Sequence, residues 1–190
     1  MKQMDIFSIE KRFKEITLIP QGTDITSYPL REHIGFEIRE TEKKTNGEVF
    51  TPLELVDKMI EISKPVHTKF NIDLCAGHGQ FTIRILRKFA NEHPAFDIPS
   101  YLRYKHWFNE FNVDSAIKLI YIFGEDINLC VGPAQELKQM PCDENGIWLK
   151  GIFYWDASIK KWITKDITEL ENILNSTTNN TIKSSSKALF

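Results

Sequence analysis

The sequence predicts an α/β fold in which a parallel sheet carries helices on both of its faces. The first observation is a short apolar segment, residues 69–75, that runs into a turn containing Gly77 and Gly79. The second is that residues 80–91 continue with apolar side chains at helical spacing. The third is another apolar, β-prone segment, residues 117–123, which also ends beside acidic residues. Strand, turn and helix in this order are typical of α/β proteins.

The composition is that of a globular protein. Of 190 residues, 42% are hydrophobic and 26% charged, which fits one domain. A net charge of -2 gives no general attraction to nucleic acid, so DNA binding would need a local basic patch. Cys75, Cys130 and Cys142 are odd in number and widely spaced, which predicts reduced thiols in a cytoplasmic protein. The scattered histidines predict no metal site, and neither a membrane helix nor a signal peptide is expected.

Three parts are predicted along the chain. Residues 1–45 are interpreted as an N-terminal helix and a charged linker, with a lid over a cofactor or a basic edge facing nucleic acid as alternatives. Residues 46–174 form the folded domain. Residues 175–190 are rich in Asn, Ser, Thr and Lys, and this composition predicts a disordered tail.

A capped helix is predicted at residues 53–64. Thr51 would be the N-cap, Pro52 the first helical residue and Glu54 the third, which together make a capping box. Phe50 would close a hydrophobic staple across the same turn. The corner before this helix is therefore expected to be rigid.

The later segments are described more coarsely. The aromatic stretch 96–111 is interpreted as core or as a helix packed on the sheet, and stacking on a base or a partner surface is the alternative. Residues 117–123 are predicted to be the second strand, which makes Asp126 an acid at a strand end or an ordinary turn residue. Residues 146–165 are interpreted as a β-hairpin or meander, and a short helix near Leu170 and Leu174 is expected to end the domain.

Two motifs resemble those of the S-adenosylmethionine-dependent N6-adenine DNA methyltransferases. Residues 47–52, GEVFTP, resemble the opening motif of that family, and residues 73–81, DLCAGHGQF, resemble its glycine loop. In that family the two motifs occur in this order and spacing, ahead of a second acidic position. The resemblance covers roughly residues 45–137.

The resemblance implies a reduced, Rossmann-like class I methyltransferase sheet that binds S-adenosyl-L-methionine. It makes Asp126 the acid that holds the ribose hydroxyls of the cofactor. The residues expected to bind the cofactor are Phe50, Thr51, Asp73, Cys75, Ala76, Gly77, Gly79, Asp126 and Ile127.

The chain also departs from the pattern of that family. The helix that usually follows the ribose acid is either lost, or residues 127–131 are the third strand and Pro133 stands where an Asp is expected. The catalytic tetrapeptide, Asn/Asp-Pro-Pro-Tyr/Phe, is absent, and the nearest analogue is Tyr154, Trp155 and Asp156, which a hairpin also explains. Pro141-Cys142 leaves a 5-methylcytosine mechanism as a minor alternative.

Three hypotheses follow for the function. The leading one is a methyltransferase-type protein of the adenine class, from a phage or mobile element, that acts with a partner chain or in reduced form. DNA would then be reached through the partner, because the chain has no room for a recognition region. The second is a catalytically silent S-adenosylmethionine-binding module, and the third is a fold that has lost its ligand.

Overall fold

The structure is a computed structural model that describes residues 51–187. The predictions for residues 1–45 and for Phe50 lie outside the described residues. Helices and strands alternate along most of the chain, so the α/β class is confirmed. The helices are α1 Leu53–Ser63, α2 Gln80–Glu92, α3 Ile98–Tyr104, α4 Val113–Phe123 and α5 Ile167–Lys187, with a 3₁₀ helix at Ala134–Gln139.

Five strands form one sheet, and their order in the sheet is their order in the chain. β1 to β4 are mutually parallel, and β5 returns antiparallel to β4. The carboxyl ends of the four parallel strands therefore meet at one edge of the sheet. The strands are β1 Asn71–Leu74, β2 His106–Glu110, β3 Asn128–Val131, β4 Ile152–Asp156 and β5 Lys161–Thr164.

Each face of the sheet carries its own apolar core, because successive side chains of a strand point to opposite faces. On the first face, Phe108, Leu129 and Ile152 are buried together with apolar residues of α2 to α5. On the second face, Cys130 and Phe153 are buried together with Leu137 of the 3₁₀ helix, and with Met140 and Trp162.

β1 lies at one edge of the described sheet. Among the described strands it pairs with β2 alone. Ile72 and Leu74 point to the second face, where they remain 40% and 54% exposed, and Phe70 just before the strand is exposed as well. Strands of parallel sheets are usually covered on both faces. Within residues 51–187, the region around β1 is therefore an exposed apolar surface beside a strand edge that no described strand pairs with.

The predicted strand at residues 117–123 is wrong, because these residues belong to α4. The Asn112 side chain caps this helix by accepting hydrogen bonds from the N–H groups of Asp114 and Ser115. Nearly all apolar residues of α4 are buried, so the segment lacks the polar face that would have marked it as a helix. The second strand is β2, whose five residues are all buried.

Two helix ends also differ from expectation. α1 begins at Leu53 with Pro52 as its N-cap residue and without a side-chain cap, so the predicted capping box of Thr51 is not formed. α5 continues to Lys187, through residues for which the composition predicts disorder. Within its middle, the Ser176 and Thr177 hydroxyls donate to the Ile173 carbonyl, so both side chains find a hydrogen-bond acceptor in the helix itself. No helix in residues 51–187 combines the length and apolar character needed to cross a membrane.

Candidate functional site

The glycine turn that follows β1 lies at the carboxyl edge of the sheet. Cys75, Gly77 and Gly79 have positive φ angles of 61°, 55° and 76°. A Cβ atom at Gly79 would lie 2.4 Å from Cε2 of Phe123, so only glycine lets α2 approach α4 this closely. Backbone of this kind presents main-chain N–H groups, at the start of a helix, to a small ligand.

Glu110, the last residue of β2, is the acid that faces this turn. Its Oε2 accepts the Gly77 N–H at 2.7 Å, and its Oε1 accepts the Asn112 N–H at 2.8 Å. Its carbonyl oxygen also accepts the Gly132 N–H, at 2.9 Å, from the end of β3. One acidic residue thus joins the carboxyl ends of three neighbouring strands.

Sequence reasoning missed Glu110, although a signal was present. The segment His106–Glu110 is short and contains Trp107 and Phe108, and it ends in an acid that is followed two residues later by the helix-capping Asn112. That pattern is a strand, an acid and a helix start. It was obscured by the longer apolar run of α4.

Asp126 and Ile127 lie at the opposite edge of the sheet from the glycine turn. They precede the amino end of β3, and a strand of four residues spans roughly 13 Å. The Asp126 side chain is 85% exposed and lies 3.4 Å from Arg103, whereas Ile127 is buried in the first core. The prediction that these two residues share a pocket with the glycine turn is wrong, because it placed Asp126 after a strand when it follows a helix.

Phe111 extends the site on the side of β2. It follows Glu110 directly, and its ring is 72% exposed although most neighbouring aromatic residues are buried. Cys75, at the start of the glycine turn, is also exposed. A carboxylate beside an exposed aromatic ring can accept hydrogen bonds from a diol and stack against a flat base, the two groups that an adenosine ligand offers.

A buried chain of polar side chains lies behind the turn. The Thr82 hydroxyl donates to Oδ2 of Asp73 at 2.9 Å and lies 2.9 Å from Nε2 of His106. The Tyr101 hydroxyl lies 3.4 Å from Nδ1 of the same ring. Burial raises the pKa of Asp73 to about 6, against the opposing effect of hydrogen bonds from Thr82. Burial alone lowers the pKa of His106 to about 3, so this ring is neutral.

Tyr154, Trp155 and Asp156 end β4, three strands away from β1. Tyr154 packs against the first core, and Trp155 packs against Trp162 with ring centroids 5.4 Å apart. Asp156 accepts hydrogen bonds from the N–H and hydroxyl of Ser158, and the hydroxyl bond is the main reason why its pKa lies below the usual range. Adjacent strands lie about 4.8 Å apart, which places β4 roughly 14 Å from β1.

The remaining predicted site residues are distributed as follows. Ala76 is buried, and its N–H donates to the Asn109 carbonyl at 2.9 Å, which ties the turn to β2. Thr51 lies just ahead of α1 and is partly exposed. Cys75, Cys130 and Cys142 form no disulfide, and no group of three metal-ligating side chains occurs within the described residues.

Fold and site together define an α/β protein with a glycine turn and a facing acid at the carboxyl ends of adjacent parallel strands. The chain matches the family model of the N-6 DNA methylases over residues 32–140, more than half of its length. It therefore belongs to the N-6 DNA methylase family. No curated protein and no solved structure matches the chain.

Membership clarifies the apparent departure at the second acid. The resemblance described in the sequence analysis predicts a strand, an acid, a helix and a third strand in that order. β2, Glu110, α4 and β3 supply that order, so no helix is lost. Residues 141–190, which include β4, β5 and α5, lie beyond the family match.

Proposed function

We propose that this chain binds S-adenosyl-L-methionine at the carboxyl ends of β1 and β2, as the cofactor-binding part of a DNA adenine-N6 methyltransferase. The observation that supports this most directly is the contact between Glu110 and the Gly77 amide. It brings the only acid at the end of β2 against the glycine turn, which is the arrangement that the family resemblance requires.

Different residues of this chain would contact different parts of the cofactor. Each Glu110 oxygen accepts one main-chain N–H and keeps a further lone pair for a ribose hydroxyl. The exposed Phe111 ring offers a stacking surface for the adenine. The glycine turn, with Cys75 and Ala76, would lie along the methionine part. When bound, the cofactor supplies an electrophilic methyl group, and the chain positions it.

The acceptor half of the reaction is proposed to come from a partner chain. The sequence contains no Asn/Asp-Pro-Pro-Tyr/Phe. Tyr154 to Asp156 lie on β4, three strands away from the glycine turn that follows β1. The edge of β1 that no described strand pairs with, in contrast, adjoins that turn directly. A strand from another polypeptide, added beside β1, would bring acceptor-binding residues and DNA next to the cofactor. A cytoplasmic location is part of this proposal, in keeping with the three free thiols.

Calorimetry with S-adenosyl-L-methionine tests the cofactor site. Glu110→Gln removes the negative charge but keeps the shape, and we expect binding at least tenfold weaker, because hydrogen bonds to charged groups contribute about 1.5–3 kcal/mol. Asp126→Asn is the matched control at the opposite edge and should bind like the unmodified protein. Thermal unfolding of both variants checks that the fold is kept.

The reverse outcome would contradict the proposal. If Asp126→Asn weakened binding and Glu110→Gln did not, the site would lie at the other edge of the sheet. If the unmodified chain bound no cofactor, the protein would have kept the fold without the ligand. Phe111→Ala offers a second check, since this exposed ring contributes little to folding and its loss should also weaken binding.

A silent cofactor-binding module is the second candidate, and the missing tetrapeptide is the observation that favours it. Transfer of a labelled methyl group to duplex DNA separates the two candidates. A chain that binds the cofactor but transfers nothing, alone or in an extract of its host, is such a module. Transfer that appears only with the extract supports the partner.

A further inference from the structure

The hydrogen bonds among the polar side chains behind the glycine turn can all form with only one assignment of donors and acceptors. Asp73 is ionised at neutral pH and can only accept, so the single Thr82 proton goes to Asp73. The Thr82 oxygen must then accept from Nε2–H of His106. This leaves Nδ1 of the neutral ring as an acceptor for the Tyr101 hydroxyl. The direction of the chain therefore determines the tautomer of His106.

This chain of hydrogen bonds encloses the glycine turn. Asp73 lies on β1 just before the turn, and Thr82 lies in the first turn of α2, just after it. The Asp73 carboxylate receives hydrogen bonds from both the hydroxyl and the backbone N–H of Thr82. Gly79, the N-cap of α2, has no side chain for this purpose, so Asp73 takes over the capping role from the neighbouring strand.

We propose that Thr82, oriented by His106, is a positioning residue that ties the Asp73 carboxylate across the glycine turn and thereby sets the turn for the cofactor. The identity of the cofactor rests on the proposed function. The hydrogen-bond directions among the four side chains do not, because they follow from distances within the chain and from the ionised state of Asp73.

The groups that face Asp73 decide how this device responds to pH. Thr82 of α2 donates to it, Glu110 of β2 adds a like charge, and Tyr101 of α3 interacts with it electrostatically. His106 of β2 stays neutral and reaches Asp73 only through Thr82. A protonated Asp73 accepts hydrogen bonds more weakly than a carboxylate. Cofactor affinity should therefore fall as the pH drops through about 6.

Nitrogen-15 NMR of the imidazole rings tests these hydrogen-bond directions without any cofactor. At pH 7.5, His106 should show the tautomer protonated at Nε2. The tautomer protonated at Nδ1 would overturn the proposal. Since this measurement uses the unmodified protein, it remains decisive even if S-adenosyl-L-methionine fails to bind and the proposed function is wrong.

Calorimetry with S-adenosyl-L-methionine between pH 5 and 8 tests the positioning role. Thr82→Val keeps the shape and removes the hydroxyl, so the pKa of Asp73 should rise and the midpoint of the affinity loss should move up by roughly one to two pH units. Thr82→Ser restores the hydroxyl and should restore the midpoint. An identical profile in Thr82→Val and the unmodified protein would overturn the role, as would pH-independent affinity.

Discussion

Asp73 is the residue at which burial and charge conflict most strongly. It is almost wholly buried on the first face of β1, and its pKa is raised from 3.8 to about 6. The folded protein therefore holds this proton more tightly than the unfolded chain does. Stability from this group is fully present below about pH 4 and is lost as the pH rises to about 6. Because the ionised Asp73 lowers the stability of the folded protein at neutral pH, its presence points to a role other than stability.

Replacement of Asp73 should reveal how much stability its ionisation removes. Asp73→Asn removes the titration, so the free energy of unfolding of the variant relative to the unmodified protein should improve by about 3 kcal/mol between pH 4 and pH 7. Urea denaturation at a series of pH values measures it. The pKa of His106 is lowered, which acts in the opposite sense, but it acts in both proteins and cancels in the difference. A difference that does not change with pH would contradict the prediction.

At the scale of elements, α4 links the core to the site. Its buried face packs against the sheet and α5, and it begins at Val113, three residues after Glu110. The Asn112 side chain caps the helix while the Asn112 N–H donates to the Glu110 carboxylate. A single residue thus stabilises the helix start and orients the acid of the site.

Loss of this cap should be measurable. Asn112→Ala removes the acceptor for two main-chain N–H groups, and caps of this type contribute about 1 kcal/mol. Denaturant unfolding should show a loss of that size, with Asn145→Ala in an exposed loop as the matched control. Equal stability of the two variants would show that the cap is not needed.

At the scale of the whole molecule, the two edge strands of the described sheet differ in direction. β5 ends the sheet antiparallel to β4, whereas β1 ends it parallel to β2 and has no second neighbour among the described strands. The Asn71 N–H donates to β2 through the Lys105 carbonyl. Because successive N–H groups alternate in direction, those of Ile72 and Leu74 face away from β2.

Hydrogen exchange should distinguish the edge strand β1 from the central strand β3. The amides of Ile72 and Leu74 are expected to exchange at least tenfold faster than those of β3, which is buried between two strands. Addition of the proposed partner should slow them selectively. Equal protection of β1 and β3 in the isolated chain would mean that the edge is already covered.

The sequence predicted local features better than pairings. The glycine turn and α2 were found because glycine spacing and helical periodicity are written in neighbouring residues. β2 was missed because a buried strand of five residues has no polar alternation, while the buried α4 resembles a strand for the same reason. The contact of Glu110 with Gly77 depends on which strands lie side by side, and no local pattern carries that information.

The sheet order β1-β2-β3-β4-β5 has a consequence for biosynthesis. Among the described strands, each of β2 to β5 pairs with the strand that leaves the ribosome just before it, so none of these pairings waits for a distant segment of the chain. Such a sheet grows from its first strand by stepwise addition, with short loop closures at each step. The glycine turn and its facing acid can therefore come together in the nascent chain as soon as β2 has paired with β1.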